Sequence, residues 1–382
     1  MVSLGKLKKK KIIFYCPPPI SHSGGHRTFY RHINYLAGLG CDIEVCFVGK
    51  KYEIKSESEI RQSIFNWFGL LRARVSIFIP HTQIPDMVIA TSWPTAFHVA
   101  RWDCPKVYFI QDMENIFNPA NHLYAQALSS YEIGLDSITI GKWLRSEIER
   151  FGSRAIETPF GVDFTKYYTD SRTTRNPKSV LILDQPDKAR RCHDLLQQTV
   201  NILKEKNTSI DILSYGTHQS YLKGVDHHFG LLGESELGQL YRESRVGIAL
   251  SASNPSRIPF EMAACGLPFI DLDLPNTRLD YLNLAHTKSR PFPGNLANVI
   301  LEYLKTPLPP ENNTLEEILS SIKTELETFA LNLIWFLENP KDKSGAVFEL
   351  PDMFDAGNSH FLGVVKKHMP IRIKNMIKKL IN

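Results

Sequence analysis

Residues 246–273 read VGIALSASNPSRIPFEMAACGLPFIDLD and provide the strongest evidence on the architecture. The stretch begins with an apolar run, passes through a polar loop and ends in a second apolar run. Between the loop and the second run, residues 259–265 are typical of a short helix, with Pro259 at its first turn and Gly266 just beyond its end. This order of strand, loop, helix and strand predicts a βαβ unit of a parallel sheet.

The same alternation of short apolar runs and amphipathic stretches extends over most of the chain. It predicts an α/β protein with two Rossmann-like domains and a cleft between them, residues 1–165 and 166–310. In the first domain we predict strands at 11–16, 43–48, 75–79, 87–91, 107–111 and 137–140, with helices at 28–39 and 141–151. In the second we predict strands at 179–183, 210–214, 246–250 and 268–272, with helices at 193–206, 234–243 and 259–265.

The pattern becomes helical after Pro293, which predicts a helical extension over residues 311–382. We expect helices at 295–304 and 314–337. Residues 360–382 alternate apolar side chains with Lys and Arg at helical spacing. This basic tail is suited either to an anionic membrane surface or to docking on the body of the protein with its lysines in water.

The composition excludes several classes of protein. The 382 residues include 45 Lys and Arg against 40 Asp and Glu, and a net charge of +5 is too weak for a dedicated nucleic-acid binder. The longest late apolar run, 329–337, is too short to cross a membrane, and no export signal is recognisable at the start. The six cysteines lack metal-ligand spacing. We therefore expect a cytoplasmic protein without a disulfide framework or a zinc site.

Two groups of residues suit an anionic ligand. Gly24 and Gly25 lie between the first strand and the next helix, where backbone N–H groups can approach an anion, although they could merely turn the chain. No nicotinamide or P-loop fingerprint is present. Lys188, Arg190 and Arg191 follow the first strand of the second domain and suit a diphosphate, although such basic residues are often only solvated.

Residues 261–268, EMAACGLP, resemble the donor-binding signature of family 4 glycosyltransferases of the GT-B fold, which ends in E-A-x-A-x-G-x-P. That family usually has a second glutamate eight positions earlier, where this chain has Ser253. The variant SNPSxxPxEM, residues 253–262, is similar instead to WsaF-type rhamnosyltransferases of bacterial surface polysaccharide assembly. Further stretches agree with that family: SGGHR (23–27), ATSWPT (90–95), VYFIQDME (107–114), GKWL (141–144), FGVD (160–163) and RR (190–191).

The resemblance implies roles for individual residues. Glu261 would bind the donor ribose or deoxyribose, and Asn254 and Ser256 would contact the nucleotide or sugar. The diphosphate would be held by Lys188, Arg190 and Arg191, with the backbone of Gly24 and Gly25 on the opposite wall of the cleft. Asp112 would contact the transferred sugar or the acceptor hydroxyl, with Glu114 as its companion. Either acid could instead cap a helix or pair with an arginine.

The resemblance also implies a reaction. The protein would transfer a sugar with retention and without a metal cofactor, namely rhamnose from dTDP-L-rhamnose, onto a lipid-linked O-antigen or capsule. It would act at the cytoplasmic membrane face with other polysaccharide assembly enzymes. A UDP- or GDP-hexose donor stays open, since loop residues set the donor. Two other functions stay open as well: a non-catalytic glycan- or nucleotide-binding subunit, motivated by Ser253, and a sugar-nucleotide epimerase.

Overall fold

The computed structural model describes residues 3–49, 56–80, 84–281, 284, 286–307 and 318–341. The first domain is a parallel sheet flanked by helices. Its strands are β1 (Lys11–Cys16), β2 (Asp42–Phe47), β3 (Arg74–Ser76), β4 (Met87–Ala90), β5 (Lys106–Ile110), β6 (Asp136–Ile140) and β7 (Ala155–Thr158). Its helices are α1 (Gly24–Gly38), α2 (Glu57–Phe68), α3 (Trp93–Ala100), α4 (His122–Ser129) and α5 (Lys142–Glu149). The strands are ordered β3-β2-β1-β4-β5-β6-β7.

A short strand, β8 (Gly161–Val162), leads into the second domain. The second sheet contains β9 (Ser179–Leu183), β10 (Asp211–Tyr215), β11 (His227–His228), β12 (Val246–Ile248), β13 (Phe269–Leu272) and β14 (His286–Ser289). Its helices are α6 (His193–Lys206), α7 (Glu234–Glu243), α8 (Ile258–Ala264), α9 (Pro275–Arg278) and α10 (Pro293–Lys305). The order β11-β10-β9-β12-β13-β14 is again fully parallel. Both domains therefore have the doubly wound arrangement that the sequence predicts.

The central strands are buried along nearly their whole length because helices cover both faces of each sheet. This explains why they read as continuous apolar runs rather than as alternating ones. The first helix, α1, begins directly after a serine that caps it. At Ser23 the side chain accepts a hydrogen bond from the backbone N–H of His26, which caps the first turn of α1.

The last described helix, α11 (Ile322–Glu338), returns to the first domain. Just before it, β15 (Ser320–Ser321) pairs with β8. The ring of Phe329 on α11 is fully buried, with its centroid 4.4 Å from that of His32 and 4.8 Å from that of Phe109. Helix α11 thus completes the core of the first domain.

A buried ion pair joins α11 to the second domain. The carboxylate of Glu325 is 1% exposed and accepts two hydrogen bonds from the guanidinium of Arg257, which lies just before α8. It also accepts from the backbone N–H of Gly161 at 2.8 Å. Burial opposes ionisation of Glu325, but Arg257 holds its pKa below the usual value. His32 on α1 lies 3.4 Å from the same carboxylate, and burial lowers the pKa of its imidazole.

The predicted strands and helices are present, with boundaries shifted by a few residues. The largest difference in the first sheet is at residues 75–79, where the strand is only Arg74–Ser76. Helices α2, α3, α4 and α9 and strands β7, β8, β11, β14 and β15 were not predicted. The helix expected at 314–337 begins only at Ile322, because residues 320–321 form β15 and pair with β8. Residues 314–317 and the basic tail lie outside the described residues. No helix in the described ranges combines the length and apolar character needed to span a bilayer.

Replacing Glu325 with Ala should destabilise the protein by about 3–5 kcal/mol, because it leaves the buried Arg257 guanidinium without its counter-charge. Glu327→Ala is the matched control. Its side chain is 39% exposed and pairs with Lys323 only at 3.8 Å, so we expect a change within about 0.5 kcal/mol. Urea unfolding would measure both. Equal effects of the two substitutions would show that the buried pair contributes nothing to stability.

Candidate active site

The candidate residues lie at the carboxyl ends of strands on both sides of the interdomain cleft. In each sheet the strands are added first to one side of the first strand and then to the other, so the strand order reverses between β1 and β4 and between β9 and β12. Ligands of open parallel sheets bind at such switch points. Gly24 and Gly25 follow β1, Asp112 follows β5, and the loop 251–256 follows β12.

Asp112 reaches across the cleft to the second domain. Its Oδ1 accepts hydrogen bonds from the backbone N–H groups of Met113 and Asn254, each at 2.9 Å. Its Oδ2 accepts from the hydroxyl of Ser253 at 3.0 Å. Burial raises the pKa of Asp112, although Arg190 opposes this shift. The carboxylate is therefore held by groups from both domains.

Asn254 reinforces the same contact. Its side-chain amide donates to the backbone carbonyls of Gln111 and Ile140, both in the first domain and both at 3.0 Å. The residue is 1% exposed, and its Oδ1 has no hydrogen-bond partner among the described residues. Together, Asp112, Ser253 and Asn254 form a hydrogen-bonded bridge between the domains, which we call the cleft bridge.

Arg190 lies beside this bridge. Its Nε is 3.4 Å from Oδ2 of Asp112, and its guanidinium carbon lies 4.3 Å from the ring centroid of Phe117. No described group accepts a hydrogen bond from the Arg190 side chain, and its Nε is buried without a partner. Burial lowers the pKa of Arg190. A guanidinium with unused donors at a strand end is suited to an anionic ligand.

The other two cations are close to Arg190 in the chain. Arg191 is 8% exposed and donates through one terminal nitrogen to the carbonyl of Leu250 at 3.3 Å, while its Nε has no partner among the described residues. Lys188 has no hydrogen bond or ion pair to any described group through its ammonium. Burial, followed by repulsion from Arg190, lowers the pKa of Lys188. An anion placed here would offset both effects.

Gly24 and Gly25 form the exposed first turn of α1 on the opposite wall. A side chain on Gly24 would meet no atom within 4 Å, so space is open in front of it. The carbonyl of Gly25 accepts a hydrogen bond from the side-chain amide of Gln111 at 3.2 Å. This contact places the start of α1 next to the end of β5, and hence next to Asp112.

Glu261 lies in the first turn of α8, and no described group donates a hydrogen bond to its carboxylate. Burial raises its pKa to about 7, against the attraction of Arg257. An acid that is partly buried and accepts no hydrogen bond is destabilising unless a ligand supplies donors. Two hydroxyl groups of a ribose would be suitable donors.

Glu114 and Ser256 make no hydrogen bond across the cleft among the described residues. The Oε2 of Glu114 accepts from the backbone N–H of Trp93 at 2.5 Å, at the start of α3, and from the hydroxyl of Tyr108 at 3.4 Å. Burial raises the pKa of Glu114 to about 8. The Ser256 hydroxyl is buried without a partner among the described residues. Glu114 therefore supports the start of α3 from a position close to Asp112.

Several residues at the domain contact were not predicted from the sequence. Besides Arg257 and Glu325, the carboxylate of Asp280 crosses from the second domain and accepts from the backbone N–H groups of Lys142 and Trp143, at 2.7 and 3.3 Å. It thereby caps α5. Gly141 precedes this helix at a φ of +89°, and a side chain there would come within 2.6 Å of Phe160. Only glycine fits at this position.

Metal ligands are not gathered at the site. Among the described residues, no group of three or more His, Cys, Asp or Glu side chains is arranged to hold a metal ion. Metal-independent catalysis stays a prediction from the sequence.

Comparison with known proteins adds evidence for the second domain. Residues 178–301 match the family described as "WsaF, C-terminal domain". The matched residues all lie within the second domain. A relative, the O-antigen biosynthesis protein RfbC of Myxococcus xanthus, is 27% identical over 204 residues, which are 50% of this chain. The match spans only 16% of the length of RfbC.

Solved structures show that the fold is GT-B. HepE of Anabaena, solved with UDP, has a TM-score of 0.60 at 13% identity, covering 86% of this chain and 100% of HepE. A Listeria monocytogenes protein, provisionally described as a UDP-N-acetylglucosamine 2-epimerase, has a TM-score of 0.52 at 11% identity, covering 88% and 98%. Identities this low show the fold alone, so the family match over residues 178–301 and the site geometry must support the function.

Binding of a nucleotide sugar should strengthen as the pH rises from 6 to 8. The folded-state pKa of Glu261 is raised to about 7, so its carboxyl is mostly protonated at pH 6 and mostly ionised at pH 8. The ionised form accepts stronger ribose hydrogen bonds, and both of its oxygens are free to accept them. Calorimetric titration across this range would measure the effect. The Glu261→Gln variant should bind more weakly and lose the pH dependence; an unchanged pH dependence in this variant would exclude Glu261 as its source.

Arg190→Ala should weaken nucleotide-sugar binding by about 2 kcal/mol, or about 30-fold, because a charge-assisted phosphate contact is lost. Arg172→Ala is the control, since its side chain is 88% exposed and pairs only with its neighbour Asp170. Isothermal calorimetry at fixed ionic strength would measure both affinities. A variant at position 190 that binds as tightly as the control would remove this arginine from the site.

Proposed function

We propose that this protein is a glycosyltransferase that moves a sugar from a nucleotide sugar onto a bacterial surface polysaccharide. The observation that carries the proposal is that several charged side chains at the GT-B cleft lack hydrogen-bond partners. Among the described residues, the buried Nε atoms of Arg190 and Arg191 have no hydrogen-bond partner, and the Glu261 carboxylate in the first turn of α8 accepts no hydrogen bond. A nucleoside diphosphate would supply the missing partners: its phosphate oxygens accept hydrogen bonds from the cations, and its ribose hydroxyls donate to the acid.

These residues suit a retaining transfer in which the protein orients the substrates. The bond from the anomeric carbon to the diphosphate breaks, and the cations at the end of β9 neutralise the charge on the leaving group. An oxygen of that phosphate takes the proton of the acceptor hydroxyl. The acceptor oxygen then bonds to the anomeric carbon on the face that the phosphate left. Most of the rate gain would come from orientation and charge neutralisation.

The proposed donor is dTDP-L-rhamnose, and the proposed acceptor is a lipid-linked O-antigen or capsular polysaccharide. The WsaF-type domain supports rhamnose, because the family it resembles transfers that sugar. The relative RfbC is described as an O-antigen biosynthesis protein. HepE has been solved with UDP and with UDP-glucose, so UDP-hexoses, and likewise GDP-hexoses, are alternative donors. Contact of the basic tail with the cytoplasmic membrane face, and with other assembly enzymes, belongs to the same proposal.

Two other functions have a specific motivation. The Listeria protein shares the fold, which keeps a sugar-nucleotide epimerase as an alternative. An epimerase would convert the donor with no acceptor present. A non-catalytic binding subunit would bind a nucleotide sugar and release no diphosphate product. Serine at position 253, where the related pattern has an acid, motivates that alternative.

Ligand-observed NMR against dTDP-, UDP- and GDP-sugars would test the proposal first. We expect dTDP-rhamnose to bind selectively and Glu261→Ala to weaken this binding at least 10-fold. Glu205→Ala, an exposed site on α6, is the control and should bind as the wild type does. Mass spectrometry should then show extension of a lipid-linked glycan acceptor only when donor is present.

Each result separates the alternatives. Binding of a UDP- or GDP-sugar with acceptor extension would keep glycosyl transfer and discard rhamnose. Conversion of the donor without acceptor would establish the epimerase. Binding without any turnover over a broad acceptor panel would favour the non-catalytic subunit. Failure to bind any nucleotide sugar would overturn the proposed function.

A further inference from the structure

The cleft bridge places two features of the site in direct contact. Ser253 stands at the position where family 4 enzymes usually have a glutamate, and it is fully buried. Its hydroxyl does not point into an empty pocket but donates to the carboxylate of Asp112 at 3.0 Å. A carboxylate is therefore present next to position 253, although it belongs to the other domain.

The Asp112 carboxylate lies in the volume that the carboxylate of a glutamate at position 253 would reach. The hydroxyl oxygen of serine occupies the position of Cγ in glutamate, and the carboxylate oxygens of glutamate lie two bonds further on. Oδ2 of Asp112 is 3.0 Å from that oxygen, so a glutamate at 253 would compete for the same volume. The backbone N–H of Asn254 holds Oδ1 at 2.9 Å and fixes the orientation of the group.

We propose that Asp112 supplies from the first domain the carboxylate that the family pattern places at position 253, and that Ser253 positions it against the transferred sugar. This inference rests on the proposed function. It assigns Asp112 as the residue that touches the sugar and Ser253 as a positioning residue.

The carboxylate retains capacity for a substrate. Two carboxylate oxygens offer about four lone-pair positions. The described donors use two on Oδ1, from Met113 and Asn254, and one on Oδ2, from Ser253. Arg190 Nε lies 3.4 Å from Oδ2 as an ion-pair partner without a hydrogen bond. Oδ2 can therefore accept one further hydrogen bond from a sugar hydroxyl, and an ionised acceptor makes that bond stronger than a neutral one would.

The arrangement has a consequence for domain movement. The acid comes from one domain and both of its cross-domain donors come from the other, so the group is correctly placed only when the cleft is closed. A glutamate at 253 would instead be in place in either state. Closure around the donor would thus complete the site, as in enzymes that assemble their catalytic groups on closing.

Asp112→Asn tests the charge without removing the bridge. An asparagine oxygen can still accept from Asn254, and its amide can donate to the Ser253 hydroxyl. We expect the affinity for the nucleotide sugar to stay within about 2-fold, and turnover to fall about 10- to 100-fold because a charge-assisted hydrogen bond is lost. Saturation-transfer NMR should show weaker contact at the sugar protons and unchanged contact at the nucleobase. Asp194→Asn, an exposed site on α6, is the control.

A swap tests the placement. Ser253→Glu alone should lose activity, because two carboxylates then compete for one volume and repel each other. Asp112→Ser alone should lose activity because the acid is absent. The double variant Asp112→Ser, Ser253→Glu restores one acid and one serine with their domains exchanged. We expect it to recover at least 10-fold over the better single variant.

The outcomes decide between this assignment and a purely structural bridge. Wild-type turnover and sugar contact in Asp112→Asn would overturn the assignment, as would a folded double variant no better than the singles. If the double variant unfolds, which the melting temperature reports, Asp112→Asn decides alone. If the wild type binds a donor but transfers nothing, the sugar-proton signals of Asp112→Asn still decide. A wild type that binds no nucleotide sugar would overturn the proposed function and this inference together.

Discussion

The pairing of Arg257 with Glu325 constrains where the rest of the chain can lie. The Glu325 side chain is 1% exposed and that of Arg257 is 15% exposed, and an acid so deeply buried is costly to keep charged without its partner. Helix α11 and the loop before α8 must therefore be placed together. The same carboxylate binds the backbone of Gly161 at the junction of the domains. Glu261 lies one helical turn beyond Arg257. The position of the ribose-binding candidate therefore depends on a helix far along the chain.

The domain contact at the cleft includes several polar bridges. Asp112 receives donors from the second domain, while Asp280 of the second domain caps α5 of the first. The side-chain amide of Asn254 adds two hydrogen bonds to backbone carbonyls across the same contact. Polar contacts of this kind can exchange with water at modest cost, unlike a dry apolar interface. These polar contacts therefore orient the two domains, which are also joined by the stacking of Phe160 on Phe260 and by the Glu325–Arg257 pair.

Sequence patterns predicted those parts of the fold that depend on local order. Strands 11–16 and 179–183 and helices 193–206 and 234–243 have the predicted bounds, because each is an apolar or strongly amphipathic run with clear ends. Helix α2 was missed because only Ile60 and Ile64 are buried on it. The bridge from Asp112 to Ser253 was beyond prediction, since it joins residues 141 positions apart. The burial of Glu325 had one indication in the sequence. This acid shares a helical face with the apolar, buried Phe329, Leu333 and Phe336, where an unpaired carboxylate would be costly.

The position of α11 also bears on how the chain is made. Ribosomes deliver the amino-terminal domain first, and such domains commonly fold as they emerge. Here His32 and Phe109 stay uncovered until residues 322–338 have been synthesised, because Phe329 supplies the ring that packs on them. The first domain consequently spends the synthesis of the whole second domain with an apolar patch open to solvent. Truncated chains from interrupted translation would expose that patch and become targets for chaperones and proteases.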